Sequence, residues 1–264
     1  MSDILTKVEG GIARLTINRP QARNAVRPET MDEMLQFLLA IESSPDIGAV
    51  ILDATGEHFI SGGDLKGFAS NAAQPPRERA ATFEALVHRM NPLFLTLERI
   101  PQIVIASVRG YVAGSGVCFL AAADLAIASD NAKFMLSHIK IGAPPDAGAS
   151  YFLPRQVTLK RAKQIVLLGD TFDAEEALRI GLVNRVVANE RLDSETLTLA
   201  ERFAAGPRRA FSEAKQLLNQ SLQNTLAEQL WAEARCASRI TATEDFAEGA
   251  TAFTEKRPPR FKGR

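Results

Sequence analysis

The spacing of hydrophobic positions changes several times along this chain, and each change marks an element. In "GIARLTINRP" (11–20) apolar and polar residues alternate, β-branched side chains are frequent, and Pro20 stops the run, which predicts a strand. In "ETMDEMLQFLLAIES" (29–43), Met31, Met34, Leu35, Leu38 and then Ile41 or Glu42 recur at helical spacing. Three compact apolar runs follow, "GAVILDAT", "QIVIASVRGYVAGSG" and "DLAIAS". Continuously apolar strands with helices between them predict an α/β fold whose sheet is covered on both faces.

Between the first two runs, "FASNAAQPPRERA" has the Asn, Ala and tandem-Pro content of a mobile loop. "ERAATFEALVHRMNPLFLTLERI" reads as a long helix interrupted at Pro92. From Thr158 onward the pattern is almost wholly helical. In "DAEEALRIGLV", Asp173 is placed to cap, Glu176 to complete a capping box and Gly181 to end the helix. Further helices begin near Ser194, Arg208, Thr225 and Thr243. The chain therefore divides into an α/β core over 1–190 and a helical region over 191–264.

Charge and cysteine content narrow the function classes. The 264 residues carry 31 Lys or Arg and 31 Asp or Glu, a balance that gives no reason to expect nucleic acid as a partner. Cys118 and Cys236 form no CxxC pair, so neither a disulfide framework nor a metal site is expected. The N-terminus lacks an apolar core of signal-peptide length and no run is long enough to span a membrane, which points to a cytoplasmic enzyme. The one charge cluster is "EKRPPRFKGR", either a solvated tail or a site for a phosphate-bearing ligand.

Two glycine-rich stretches follow apolar strands. In "HFISGGDLKGF" (58–68), Gly62 and Gly63 permit a sharp turn, and Asp64 suits the N-cap of a helical turn after it. In "GYVAGSGVCFL", Gly114, Ser115 and Gly116 open a helix-like run. Phe119 stands where a dinucleotide fingerprint needs its third glycine, and Ala113 and Val117 break the nucleophile-elbow pattern around Ser115. What remains is two backbone N–H loops, the parts from which an oxyanion hole is made.

"INRPQARNAV", "HFISGGDL", "GYVAGSGVCFLAAADLAIASDNAKF", "IGAPPDAGASYFLPR", "FDAEEALRIGLVNRVV" and "FTEKRPPRFKG", in that order, resemble the crotonase (enoyl-CoA hydratase/isomerase) superfamily over nearly the whole chain. The resemblance implies a ClpP-like spiral of ββα units with a helical C-terminal trimerisation region, assembled as a homotrimer or dimer of trimers. It implies an acyl-CoA thioester substrate, no separate cofactor, and oxyanion donors at Gly63 and Ser115. It also places Arg23, Ala25, Ser61, Gly62, Asp64 and Leu65 along the CoA moiety, with Lys256 reaching a CoA phosphate in a neighbouring subunit.

Hydratases of the superfamily carry two glutamates, and the matching positions here hold Cys118 and His138. Isomerase members carry an aspartate in a context similar to "PPDAGAS", which implies that Asp146 is the acid/base. One carboxylate suffices to move a proton between two carbons, and Ala143, Pro145, Ala147 and Ala149 suit a dry setting for it. Asp146 equally fits as a cap for the helix beginning "AGASYF", and His138 as a second base, a hydrogen-bond donor or a satisfied pocket residue. His58 and His88 read as surface or structural residues, and Cys118 as a packing residue. The expected activity is a shift of a C=C bond in an enoyl-CoA-type thioester. The alternatives are hydration, hydrolysis or C–C cleavage, dehalogenation of an aryl-CoA, and a non-catalytic CoA-binding scaffold. A dehalogenase needs a histidine where this chain has Asn91.

Overall fold

The structure is a computed structural model in which residues 2–64 and 71–264 are described. The chain opens with β1 (Ile4–Glu9), β2 (Ile12–Ile17), α1 (Pro28–Glu42) and β3 (Ala49–Ala54). It continues with α2 (Pro76–Arg99), β4 (Ile103–Val108), β5 (Tyr111–Ala113), α3 (Ser115–Ala122), β6 (Leu125–Ser129) and β7 (Lys133–Met135). Then come α4 (Ala149–Gln156), α5 (Leu159–Leu168), β8 (Phe172–Asp173), α6 (Ala174–Arg179) and β9 (Arg185–Val187). Four helices close the chain: α7 (Leu192–Ala204), α8 (Arg208–Ser221), α9 (Leu226–Thr241) and α10 (Glu244–Thr254).

Six strands form one sheet in the order β1-β2-β3-β4-β6-β9, antiparallel only between β1 and β2. The apolar runs at β3 and β4 have the composition of strands buried on both faces, and they are so buried. Val50 and Leu52 of β3 enter the main core with Val104 and Ala106 of β4. The intervening Ala49, Ile51, Ile103 and Ile105 point the other way, onto Ala200 and Ala204 of α7. A second sheet, β5-β7-β8, stands beside the first and leads into the helices around the candidate site.

The α/β expectation, with helices gathered in the C-terminal region, holds, with corrections at particular elements. β1 went unread because its burial pattern leaves only Ile4 inside, so "ILTKVE" shows no apolar period. Pro92 does not interrupt its helix: α2 runs through it for 24 residues. The region after Thr158 contains β8 and β9, whose two and three residues are too few to display a strand period. Asp173 caps α6 by accepting from Glu176 N at 3.0 Å, but the Glu176 carboxylate takes Arg179 at 2.6 and 2.7 Å instead of returning to the cap. The expected loop over 68–80 falls partly outside the described residues; of the rest, 71–75 precede α2 and 76–80 form its start.

The basic C-terminal stretch is neither free nor extended. Gly263 N and Lys262 N donate to the two oxygens of buried Asp245, at 2.7 and 2.6 Å. Glu248 accepts from both Arg257 guanidinium nitrogens at 2.7 and 2.9 Å and from Arg260 N at 2.7 Å. The tail is thereby tied back along α10.

Candidate active site

The two glycine-rich loops meet through their main chains. Phe59 N donates to Arg109 O at 2.9 Å and Ala113 N to Ile60 O at 2.8 Å, which lays segment 59–62 against β5 and the start of α3. At Gly116 a side chain is excluded by contact, since a Cβ there would lie 2.1 Å from Ile60 O. Gly62 has φ 118°, which only glycine adopts without strain, and a Cβ on Gly114 would stand 3.3 Å from Gly62 Cα. Ser115 is the first residue of α3, where an amide has no intrahelical acceptor. Among the described residues neither Gly63 N–H nor Ser115 N–H has a hydrogen-bond acceptor.

A second ribbon lies beside this contact. Ser61 N donates to Arg23 O (3.2 Å), Val26 N to Gly62 O (2.9 Å) and Asp64 N to Val26 O (3.0 Å). Arg23 and Asn24 are left-handed at φ 49° and 56°. Asn24 is suited to that conformation and here is fully buried, its amide donating to Thr55 O and His58 O at 2.8 Å each. Arg19 clamps the ribbon by donating to Ala25 O and pairing with Asp64 at 3.0 Å. Arg23, Ala25, Ser61, Gly62 and Asp64 thus share one edge. Leu65 and the helical turn expected after Asp64 lie outside the described residues. Lys256 is exposed on a left-handed turn (φ 54°) after α10, and among the described residues no hydrogen bond or ion pair joins it to this edge.

Asp146 sits between the 3-10 turn Ser137–Ile141 and α4. Its carboxylate does not cap α4. The N-cap is Gly148, with no side-chain cap bond, preceded by Ala147 at φ 50°. A non-glycine residue in that region costs about 1–3 kcal/mol and persists where its surroundings over-determine it. The backbone therefore turns after Asp146, and Asp146 Oδ1 stands 3.1 Å from His138 Nε2. Both side chains are largely covered, 12% exposed for His138 and 17% for Asp146. His138 Nδ1 is buried with no hydrogen-bond partner among the described residues, as is Ser115 Oγ.

Cys118 occupies the first turn of α3, fully buried, with Sγ 3.5 Å from Gly114 O and 3.7 Å from Asp146 O. Burial, and then the Asp146 charge, push its thiol far above the ordinary range, so it is a neutral thiol. Sγ, a His138 nitrogen and an Asp146 oxygen all lie within 4.8 Å of one another. Neither glutamate position of the hydratase pattern holds a carboxylate, and both of their replacements face Asp146.

The other candidates separate. His88 is exposed and 3.6 Å from Glu84. Asn91 is exposed on the same helix, away from the buried Leu93 and Phe94. His58 accepts from Tyr111 N at 3.3 Å and lies against the Tyr111 ring, which is a structural role. Sequence reading did not assemble Cys118, His138 and Asp146 as one cluster. Their shared correspondence to acid–base positions was the available signal, and contact across 28 positions is not visible in local spacing.

The chain matches the family "Enoyl-CoA hydratase/isomerase" over residues 7–264. It belongs to that family. It is 33% identical over the full length of both chains to 1,2-epoxyphenylacetyl-CoA isomerase of Escherichia coli. It is 34% identical to crotonyl-CoA hydratase of Syntrophomonas wolfei, over 98% of this chain and 97% of the relative. The crystal structure of an enoyl-CoA hydratase from Polaromonas sp. superposes with a TM-score of 0.91 at 30% identity, covering 98% of this chain and 99% of the other. The architecture is the crotonase fold, and the enzyme class is enoyl-CoA hydratase/isomerase.

Proposed function

We propose that this enzyme is an acyl-CoA isomerase that moves a C=C bond of an enoyl-type thioester. The observation that carries the reading is the replacement of both hydratase glutamates by groups that face a third position, Asp146. Gly63 N–H and Ser115 N–H receive the thioester oxygen and hold its negative charge as the dienolate forms. The Asp146 carboxylate removes a proton from one carbon and returns it two carbons away, so it ends the cycle unchanged and water is neither consumed nor released. His138 holds the carboxylate in place through Nε2. Cys118, a neutral thiol, fills the floor.

The CoA moiety is proposed to run along the Arg23–Asp64 edge, with Leu65 continuing it and no separate cofactor. Lys256 would serve a phosphate bound at a neighbouring subunit. Exposed Leu222, Leu226, Leu230 and Trp231 near and on α9, 55–76% exposed, support self-association as a homotrimer or dimer of trimers. Among the described residues no helix is long and apolar enough to cross a membrane, which fits the proposed cytoplasmic setting.

The His138–Asp146 contact favours one second reading. A base beside a carboxylate could divide water activation and proton delivery, which is hydration. Incubation with a panel of enoyl-CoA esters in deuterated water, read by mass spectrometry, separates the two. An isomerase exchanges carbon-bound protons and leaves the product otherwise unchanged in mass. Addition of one water across the double bond without isomerised product would overturn the isomerase reading.

A further inference from the structure

We propose that Cys118, His138 and Asp146 form a binding site for a thiophilic divalent cation of the zinc class, and that its occupancy switches the enzyme off. Thiol, imidazole and carboxylate are the sulfur, nitrogen and oxygen donors that four-coordinate zinc takes. They come from three separate elements, the first turn of α3, the 3-10 turn and the segment before α4. They already lie within 4.8 Å of one another. Donors around a tetrahedral zinc at its usual bond lengths stand roughly 3.3–3.6 Å apart. The His138–Asp146 separation of 3.1 Å is close to this. The thiol lies within 4.8 Å of the other two donors, so it needs to approach by at most about 1.5 Å.

Among the described residues the main contact these donor atoms make is the one between His138 Nε2 and Asp146, itself one of the three donors. Among the same residues Sγ makes only long contacts to two carbonyls. Binding exchanges the thiol proton for the metal: Cys118 leaves as thiolate and one proton goes to solvent. Thiolate and carboxylate then neutralise the dication, which suits a covered site. The fourth position stays open to water or substrate. The binding claim rests on geometry alone, whereas the inhibition rests on Asp146 being the acid/base, because a metal-bound carboxylate cannot accept a proton.

Substrate-free protein titrated with Co2+ tests the site. The expected spectrum has a thiolate-to-cobalt charge-transfer band and the intense visible bands of four-coordinate cobalt, saturating at one metal per chain. Both features vanish in Cys118→Ser and survive in Cys236→Ser. Absence of the charge-transfer band in the parent protein, or its persistence in Cys118→Ser, overturns the proposal. Cys118→Ala is the second variant should the serine not fold. Turnover is then titrated with Zn2+, each protein against its own metal-free rate. Loss of Cys118 raises the inhibitory concentration at least about tenfold, and a chelator restores the parent rate. Equal zinc sensitivity in parent and variant refutes the inhibitory role. The cobalt spectrum needs no substrate, so it judges the site even if no thioester is turned over.

Discussion

Two carboxylate–base pairs in this chain differ in how completely they are satisfied. Asp124 accepts from Lys215 Nζ and Val104 N, both at 2.7 Å, and Lys215 donates further to Gln102 O at 3.1 Å and Leu97 O at 3.4 Å. Lys215 is 3% exposed and its protons are all committed, so the pair is a rivet between α8 and the sheet. Among the described residues Asp146 has one side-chain hydrogen bond, to His138 at 3.1 Å, and His138 Nδ1 has none. A buried polar group left short of partners is costly unless something else uses it. The first pair ties the fold together, and the second is the pair proposed to carry the chemistry.

That contrast breaks most sharply at Lys215. Replacement by alanine leaves Asp124 as an uncompensated buried charge and should cost about 3–5 kcal/mol in urea unfolding. Lys215→Met combined with Asp124→Leu should recover most of the loss, because an apolar pair leaves no charge behind. Asp146→Asn should do the reverse. Unfolding stays near the parent value and CoA-ester binding by calorimetry is kept, while turnover falls at least about 10²-fold. Parent-like turnover in that variant would remove Asp146 from the mechanism.

His138→Gln sharpens the comparison from the partner's side. A glutamine can still donate to the carboxylate, so turnover should fall by no more than about tenfold, the low end of what losing a hydrogen bond to a charged group costs. A loss as large as that of Asp146→Asn would make His138 a proton carrier in its own right. The smallest effect belongs to a third, half-buried pair. Arg257 and Arg260 N hold Glu248 down from its ordinary 4.5 to about 2. A depressed carboxylate contributes stability that is full above 4.5 and lost as pH falls toward 2. Amide exchange or proteolysis should therefore show the tail over 256–264 loosening across that window, while the Lys215 rivet still holds the core.

The same contrast decides what could be read before the fold was known. β3, β4 and α1 declare themselves because burial acts on every position of a period, and α8–α10 were marked by their starting residues. Asp146 stood out as a candidate because two expected carboxylates were missing and a third stood nearby in sequence. The rivet was not, since Asp124 and Lys215 lie 91 positions apart and neither has a local signature. The tail was ambiguous for the same reason. Its basic residues are plain in the sequence, but Asp245 and Glu248, which fix it, look like ordinary helix-surface acids.

Gly116 against Ile60 O bears on how such an enzyme can diversify. The groups proposed to hold the thioester oxygen are peptide N–H groups, and every codon encodes one except those for proline. Point mutation can therefore change the chemistry at Cys118, His138 or Asp146 without moving a main chain, because each is a side chain on its own element. It cannot delete the oxygen seat without forcing apart two main chains that already touch. On the proposed mechanism, the oxygen is held by the part of the polymer common to all residues and the proton is moved by the part that differs between them.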